Sequence, residues 1–371
     1  MVILAAGMSE RMGVCKPLLP VGGESAIMRC IRIAKTAGLS EIIVVTGHYH
    51  AEIMDAIDSK REIIRLVCND KYREGMYTSV CTGVSSLSDN IDGFFVLPVD
   101  SCAITRNIPE MLIESFRRTK GINVIRPCYM GRRGHPPLIP SKHSQAMLSY
   151  NGENGLKGFL ANLPTSIVET DSAGILLDMD TPEDYAKLLE HLGHCTYPPT
   201  ATCAELLSRY DTPSDIVAHG VQVSEIAIRI AEVMIRKGAQ INTSLLESAC
   251  LLHDICRRDS NHELAGKNLL LREGYPMAAI IVGTHMDIEF NDKNIREAEL
   301  LYLADKLCRR GKIVPIEDTV SEMEIRYATD PVALTAAKRR LTTAQMIVDT
   351  LKTRYDISVE NTVSTSDINR H

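Results

Sequence analysis

Residues 1–20 read MVILAAGMSERMGVCKPLLP. Val2-Ile3-Leu4 is a short apolar run of strand type, Ala5-Ala6-Gly7 is a run of small residues, and Ser9-Glu10-Arg11-Met12-Gly13 is polar and closed by glycine. A buried strand that opens into a small-residue loop lets the backbone approach a ligand, because no bulky side chain stands in the way. Successive loop N–H groups make a nest for anionic oxygens. Arg11 supplies a forked cation and Lys16 a point charge for phosphates. The stretch therefore predicts a nucleoside triphosphate site at the end of a first strand.

The following residues supply the sheet that such a loop needs. Glu41–Gly47, Ile63–Val67, Gly93–Asp100 and Asn123–Ile125 read as strands. They alternate with helical periodicity over 27–37, 51–57, 77–87 and 108–119. A βαβα order predicts a mostly parallel sheet covered on both faces, with ligands beyond the carboxyl ends of its strands. Asp100 falls at such an end. Near residue 192 the pattern changes: His194–Thr200 contains Pro198-Pro199 and reads as a linker. Helical periodicity then dominates, with main helices expected over 216–236, 243–254, 262–273, 277–285 and 295–307. The expected organisation is an α/β domain over 1–192, a linker over 193–202, an all-α domain over 203–350 and a polar tail over 351–371.

The 371 residues allow two or three domains. A net charge of -6 argues against bulk nucleic-acid binding. No run reaches the roughly 18 apolar residues of a membrane span, and the apolar start is too short for a signal peptide. The eleven cysteines are scattered without a C-x-x-C pair, which fits reduced thiols in a cytoplasm better than a disulfide framework.

Leu4 to Pro20 resembles the signature of the molybdenum-cofactor nucleotidyltransferases, and more widely of sugar-nucleotide and isoprenoid-precursor transferases: L-A-[AG]-G-x-S-x-R-M-G and a spaced Lys-Pro. Asn69–Val80, Pro98-Val99-Asp100, Gly131–Pro136 and Asp178–Asp184 are similar to further motifs of that family in the same order. The resemblance implies a Rossmann-like domain that transfers a nucleotidyl group and releases pyrophosphate. It implies that Leu4, Ala5, Ala6, Gly7 and Ser79 lie at the nucleotide, that Arg11 and Lys16 hold the triphosphate, and that Asp100 and Asp180 bind Mg²⁺. Arg132, Arg133 and His135 fall on its acceptor side. Asp178 reads equally as ligand or support, and Thr181-Pro182 also reads as a helix start. Ala6, where guanylyl members usually carry Gly, and the Gly-His-Pro loop resemble the cytidylyl branch. They point to CTP and a molybdopterin-type acceptor, with a molybdenum hydroxylase as recipient of the cofactor. Ser101-Cys102 departs from the usual residues after the strand-end aspartate. A phosphorylated sugar or alcohol is the alternative acceptor.

In the second half His219, the adjacent His253-Asp254 and the distant Asp305 resemble the ligand order of HD-domain phosphohydrolases. That resemblance implies a divalent metal such as Mn²⁺, Fe²⁺, Co²⁺, Ni²⁺ or Zn²⁺ held between helices. His262 and His285 occupy positions where some members add ligands for a second ion. Lys306, Arg309, Arg310 and Lys312 read either as a phosphate-binding cluster or as a solvated helix end. The alternative for this half is a regulatory module that binds a nucleotide without hydrolysing it.

Overall fold

The computed structural model describes residues 1–57, 64–290, 294–309, 312–359 and 362. Two units emerge: Met1–His194 makes up most of the first, and Cys195–Leu271 with the chain from Tyr275 makes up the second.

In the first unit, β1 (Val2–Ala5) is buried at every residue. It pairs in parallel with β2 (Ile42–Thr46) on one side and β4 (Gly93–Pro98) on the other, and β2 pairs in parallel with β3 (Ile64–Cys68). Strands apolar on both faces need cover on both faces. It comes from α1 (Ala26–Thr36), α2 (His50–Ile57), α3 (Met76–Ser85) and α4 (Asn107–Arg118). The sequence reading put the start of β3 at Ile63, which lies outside the described residues.

Beyond β4 the sheet changes character. β5 (Val124–Tyr129) pairs with β6 (Arg132–Arg133) and β7 (Leu138–Pro140) antiparallel, and with β8 (Thr165–Glu169) in parallel. β7 joins this group to β4, again antiparallel, giving an eight-stranded, mostly parallel sheet. β6, β7 and β8 were not expected. They hold two, three and five residues, too short or too polar for an alternating signal. Two short helices, α5 (Ser144–Leu148) and α6 (Gly155–Ala161), precede β8. The unit ends with α7 (Pro182–His191), where the Thr181 side chain accepts the Asp184 N–H and Pro182 takes the first helical position.

The second unit is helical: α8 (Thr200–Arg209), α9 (Ser214–Arg236), α10 (Thr243–Leu252), α11 (His262–Arg272), α12 (Pro276–Val282), α13 (Glu297–Leu307), α14 (Ile316–Arg326) and α15 (Pro331–Tyr355). A two-stranded ribbon, Cys308–Arg309 against Lys312–Ile313, follows α13. Three differences from the sequence reading stand out. α8 starts inside the expected linker, because Cys203, Leu206 and Leu207 give it a buried face. α10 stops at Leu252, so His253 and Asp254 lie just past its last turn. α15 crosses residue 350, anchored by the buried Ile347 and Leu351; residues 360, 361 and 363–371 of the expected tail lie outside the described residues. No described helix is long and apolar enough to cross a membrane. Cys30, Cys102, Cys128, Cys203, Cys250 and Cys308 are buried thiols.

Candidate active sites

The loop after β1 is built around Ser9, which takes the left-handed conformation at φ 55°. Its carbonyl accepts the N–H of Met12 and Gly13 at 3.0 and 2.9 Å, and its hydroxyl accepts the Lys16 N–H at 3.2 Å. Met12 plugs the base of the loop and is buried. A Cβ placed on Gly7 meets no protein atom within 4 Å, so the glycine leaves space toward solvent rather than room for a neighbour. Ala5 and Ala6 are buried. The Ala6 methyl packs against Gly47, where an added Cβ would come within 2.9 Å of it.

Lys16 reaches from this loop to two carboxylates distant in sequence. Its Nζ lies 2.6 Å from Asp180 Oδ1 and 3.9 Å from Asp100 Oδ2. Arg11 Nη2 donates to Asp180 Oδ2 at 2.7 Å. Asp100 stands two residues past β4 and Asp180 just before α7. Burial, only partly offset by Lys16 and reinforced by Asp180 and Asp178, pushes the Asp100 carboxyl up to about 6. Burial and Asp180 also raise Asp178. Burial pushes Asp180 up as well, yet the Lys16 and Arg11 contacts win and leave it below its ordinary value. Three carboxylates near one ammonium, two of them held up by burial, suit a divalent cation with oxygen preference.

Leu4, Arg11, Asp100 and Asp180 line a cleft of about 560 Å³ whose other wall carries Arg132, Arg133 and His135. Gly134 lets that wall close up, since a Cβ there would strike the Ile175 carbonyl at 2.3 Å. The His135 N–H donates to the same carbonyl at 2.9 Å. Burial and the nearby Arg126 charge hold the His135 imidazole down at about 4. Arg126 was missed by sequence reading. It sits on β5, its Nε is buried without a hydrogen-bond partner among the described residues, and burial with Arg133 lowers its pKa. Its signal was an arginine in an otherwise apolar strand. Ser79 is buried, and its hydroxyl accepts from Asn69 Nδ2 at 2.9 Å. The same amide donates to Thr78 at 2.9 Å, so Asn69 and Ser79 brace the loop before α3.

In the second unit six side chains converge in two groups: His219, His253 and Asp305, and Asp254, His262 and His285. Asp305 Oδ1 lies 3.1 Å from His219 Nε2 and 3.5 Å from His253 Nε2. Asp254 Oδ1 lies 3.3 Å from His262 Nε2 and 3.5 Å from His285 Nε2. The adjacent residues 253 and 254 place one ligand in each group. His253 and His285 turn Nδ1 onto backbone carbonyls, of Cys250 at 2.8 Å and Val282 at 2.7 Å, which points Nε2 inward. His253 Nε2 is buried with no hydrogen-bond partner among the described residues. His262 and His285 bring Nε2 atoms to 3.2 Å. A bridging proton or a shared cation is needed to make two imidazole lone pairs tolerate that approach.

The charges around these groups are tightly coupled. Hydrogen bonding to Asp305 lifts His219 to about 9. Burial pushes Asp254 up, but His285, His253 and Arg257 hold it at about 2. Burial also works against ionised Asp305, and Lys306, at 2.7 Å, with the two histidines overcomes it. Arg309, from the cationic run after Asp305, reaches Glu322 at 3.2 Å. Arg310 lies outside the described residues, as does the side chain of Lys312.

Residues 1–167 match the family described as MobA-like NTP transferase domain, and residues 216–310 match the HD domain. The chain is 30% identical over 189 residues to the molybdenum cofactor cytidylyltransferase of Escherichia coli, covering 50% of this chain and 92% of that protein. It is 27% identical over 198 residues to the purine catabolism protein PucB of Bacillus subtilis, covering 50% of this chain and 92% of that one. To the bifunctional IPC transferase and DIPP synthase of Rubrobacter xylanophilus it is 32% identical over 114 residues, 30% of this chain and 26% of that protein.

Proposed function

The chain belongs to the MobA-like NTP transferase family and continues into an HD domain, and from that premise we propose an enzyme with two centres. The first transfers CMP from CTP to a molybdopterin-type molybdenum cofactor and releases pyrophosphate. The convergence of Lys16, Asp180 and Asp100 carries this reading. Arg11 and Lys16 hold the triphosphate and meet the charge that builds on the leaving pyrophosphate, as positioning and fixed charge dominate phosphoryl chemistry. Asp100 and Asp180 are the carboxylates for Mg²⁺, which when bound would neutralise phosphate oxygens. The backbone from Leu4 to Gly7 faces the nucleotide, and Ala6, packed on Gly47, stands where guanylyl members usually carry glycine, which favours a pyrimidine over a purine. Arg132, Arg133 and His135 receive the acceptor, and Arg126 adds a fourth basic group behind them. Similarity to the Escherichia coli cytidylyltransferase supports the choice of CTP and of the acceptor.

The second centre is a metal-dependent phosphohydrolase. The observation behind it is the buried His253 Nε2, 3.5 Å from Asp305 and without a hydrogen-bond partner among the described residues. His219, His253 and Asp305 form one ligand set; Asp254, His262 and His285 form another. A divalent metal there would activate water at neutral pH.

Pyrophosphate release from each of the four nucleotides, with and without molybdenum-loaded cofactor, tests the first centre. CTP alone should give release, and only with that acceptor. Equal release from GTP, or release with a phosphosugar in place of the cofactor, would contradict the assignment. Metal analysis and turnover on a phosphoester panel test the second centre; bound metal without turnover favours the regulatory alternative.

A further inference from the structure

The HD metal groups lie at the floor of a pocket whose walls are cationic. His219, Asp254 and Asp305 open into a space of about 300 Å³ also lined by Arg257, Lys306, Arg309, Arg326 and Arg340. Lys306 and Arg257 sit on the carboxylates themselves, with Lys306 Nζ 2.7 Å from Asp305 and Arg257 Nη1 3.4 Å from Asp254. Arg309 is set by Glu322, and Arg340 by Asp287 at 3.3 Å. Arg326 lies over the Tyr327 ring, 5.5 Å from its centroid, which occupies the aromatic face in this lining. Arg340 Nε is buried without a hydrogen-bond partner among the described residues.

Five permanent cations line the same pocket as the two carboxylates Asp254 and Asp305; Glu322 offsets Arg309, and Asp287 is shared between Arg340 at 3.3 Å and Arg339 at 2.7 Å. The wall is therefore net positive before any metal binds. Each divalent ion adds two. A phosphate monoester, with about two negative charges, leaves much of this uncompensated. A diphosphate group carries more charge on adjacent phosphorus atoms and offers forked oxygens to several guanidinium groups at once. Arg326 stacks on one face of Tyr327, the aromatic side chain of this wall besides His219, so that face presents a cation rather than a bare ring.

We propose that the HD centre takes its substrate through a diphosphate group and hydrolyses the phosphoanhydride. This rests on reading the six-residue cluster as a metal phosphohydrolase. Water oxygen forms a new bond to one phosphorus, the bridging P–O bond breaks, and the bridging oxygen departs on the second phosphate. The proton lost by water is taken up by the phosphate products or solvent, and nothing is oxidised or reduced. Inorganic pyrophosphate, the product of the proposed transferase reaction, is one source of this group; a nucleoside diphosphate is the other. Removal of pyrophosphate would make nucleotidyl transfer effectively one-way.

The test uses the full chain loaded with Mn²⁺, with inorganic pyrophosphate, CDP and p-nitrophenyl phosphate as separate substrates. Pyrophosphate binding is also read by calorimetry in Ca²⁺, at a concentration that suppresses turnover, on a Lys16→Met background that removes the pyrophosphate contact of the first centre. Arg326→Met should raise KM and Kd for pyrophosphate at least tenfold with metal content unchanged, and Arg326→Lys should recover part of that loss. Turnover of pyrophosphate supports the free diphosphate as source, and turnover of CDP with the same Arg326 dependence supports the nucleotide. Metal-loaded protein that cleaves only the monoester, or a pyrophosphate Kd indifferent to Arg326→Met, overturns the proposal. Absence of bound metal instead overturns the phosphohydrolase reading beneath it.

Discussion

Asp100 offers a measurement that needs no acceptor. Its carboxyl is raised from 3.8 to about 6, chiefly by burial, so the folded protein binds the proton more tightly than the unfolded chain does. The associated stability is complete below about pH 4 and is lost as pH rises through about 6. A shift of about two units corresponds to about 3 kcal/mol; the side chain retains 21% exposure, so about 2 kcal/mol is a prudent lower figure. Asp100→Asn keeps the shape of the protonated acid and cannot ionise. In EDTA at pH 7.5 the variant should therefore be more stable than wild type by about 2–3 kcal/mol, or roughly 4–12 °C in Tm for a unit of this size. The chain has two compact units, so the transition to follow is the one that CTP shifts. At pH 4.5 the difference should shrink to near zero. Mg²⁺ should reverse the ranking, because it stabilises wild type and finds one carboxylate fewer in the variant. An Asp100→Asn protein no more stable than wild type in EDTA at pH 7.5, or a gain independent of pH, would refute both the buried-carboxylate argument and its extension to the metal.

Further outcomes follow from the same contacts. Asp180→Ala removes the partner of both Lys16 and Arg11 and should abolish nucleotidyl transfer while leaving the metal content of the helical unit unchanged; loss of both together would contradict two separate centres. Ala6→Gly should lower the CTP-over-GTP ratio of kcat/KM about tenfold, the scale on which one methyl discriminates in a pocket, and an unchanged ratio would move base selection elsewhere. Arg126→Met should raise KM for the acceptor with KM for CTP unaffected, as measured by initial-rate kinetics. His253→Ala should reduce bound metal from two equivalents to one by elemental analysis, the Asp254–His262–His285 group keeping its ion; a drop to none would mean that the six side chains share a single site.

The first half of the sheet was legible because β1, β2 and β4 are buried on both faces and therefore read as continuous apolar runs. The second half was not, since β6 is a pair of exposed arginines and β8 is only half-buried. Pairing with β5 makes them strands, and pairing is a long-range property that no local window carries. Ser79 is expected at the nucleotide because its segment, Asn69–Val80, resembles a motif of the family. The structure adds what the motif does not carry, the hydrogen bond from Asn69 to the Ser79 hydroxyl.

The helical cluster reverses that lesson. Its six side chains span His219 to Asp305, yet their order was legible because it resembles that of the HD domain, which the chain matches over 216–310. What the order left open was whether His262 and His285 join. The structure brings them to Asp254, at 3.3 and 3.5 Å, while the adjacent His253 turns to Asp305 at 3.5 Å. His253 caps α10 with dihedrals that are still helical, φ -58° and ψ -33°, and consecutive residues on a helical path point about 100° apart, so the two neighbours reach different groups. That divergence bears directly on whether this centre holds one ion or two.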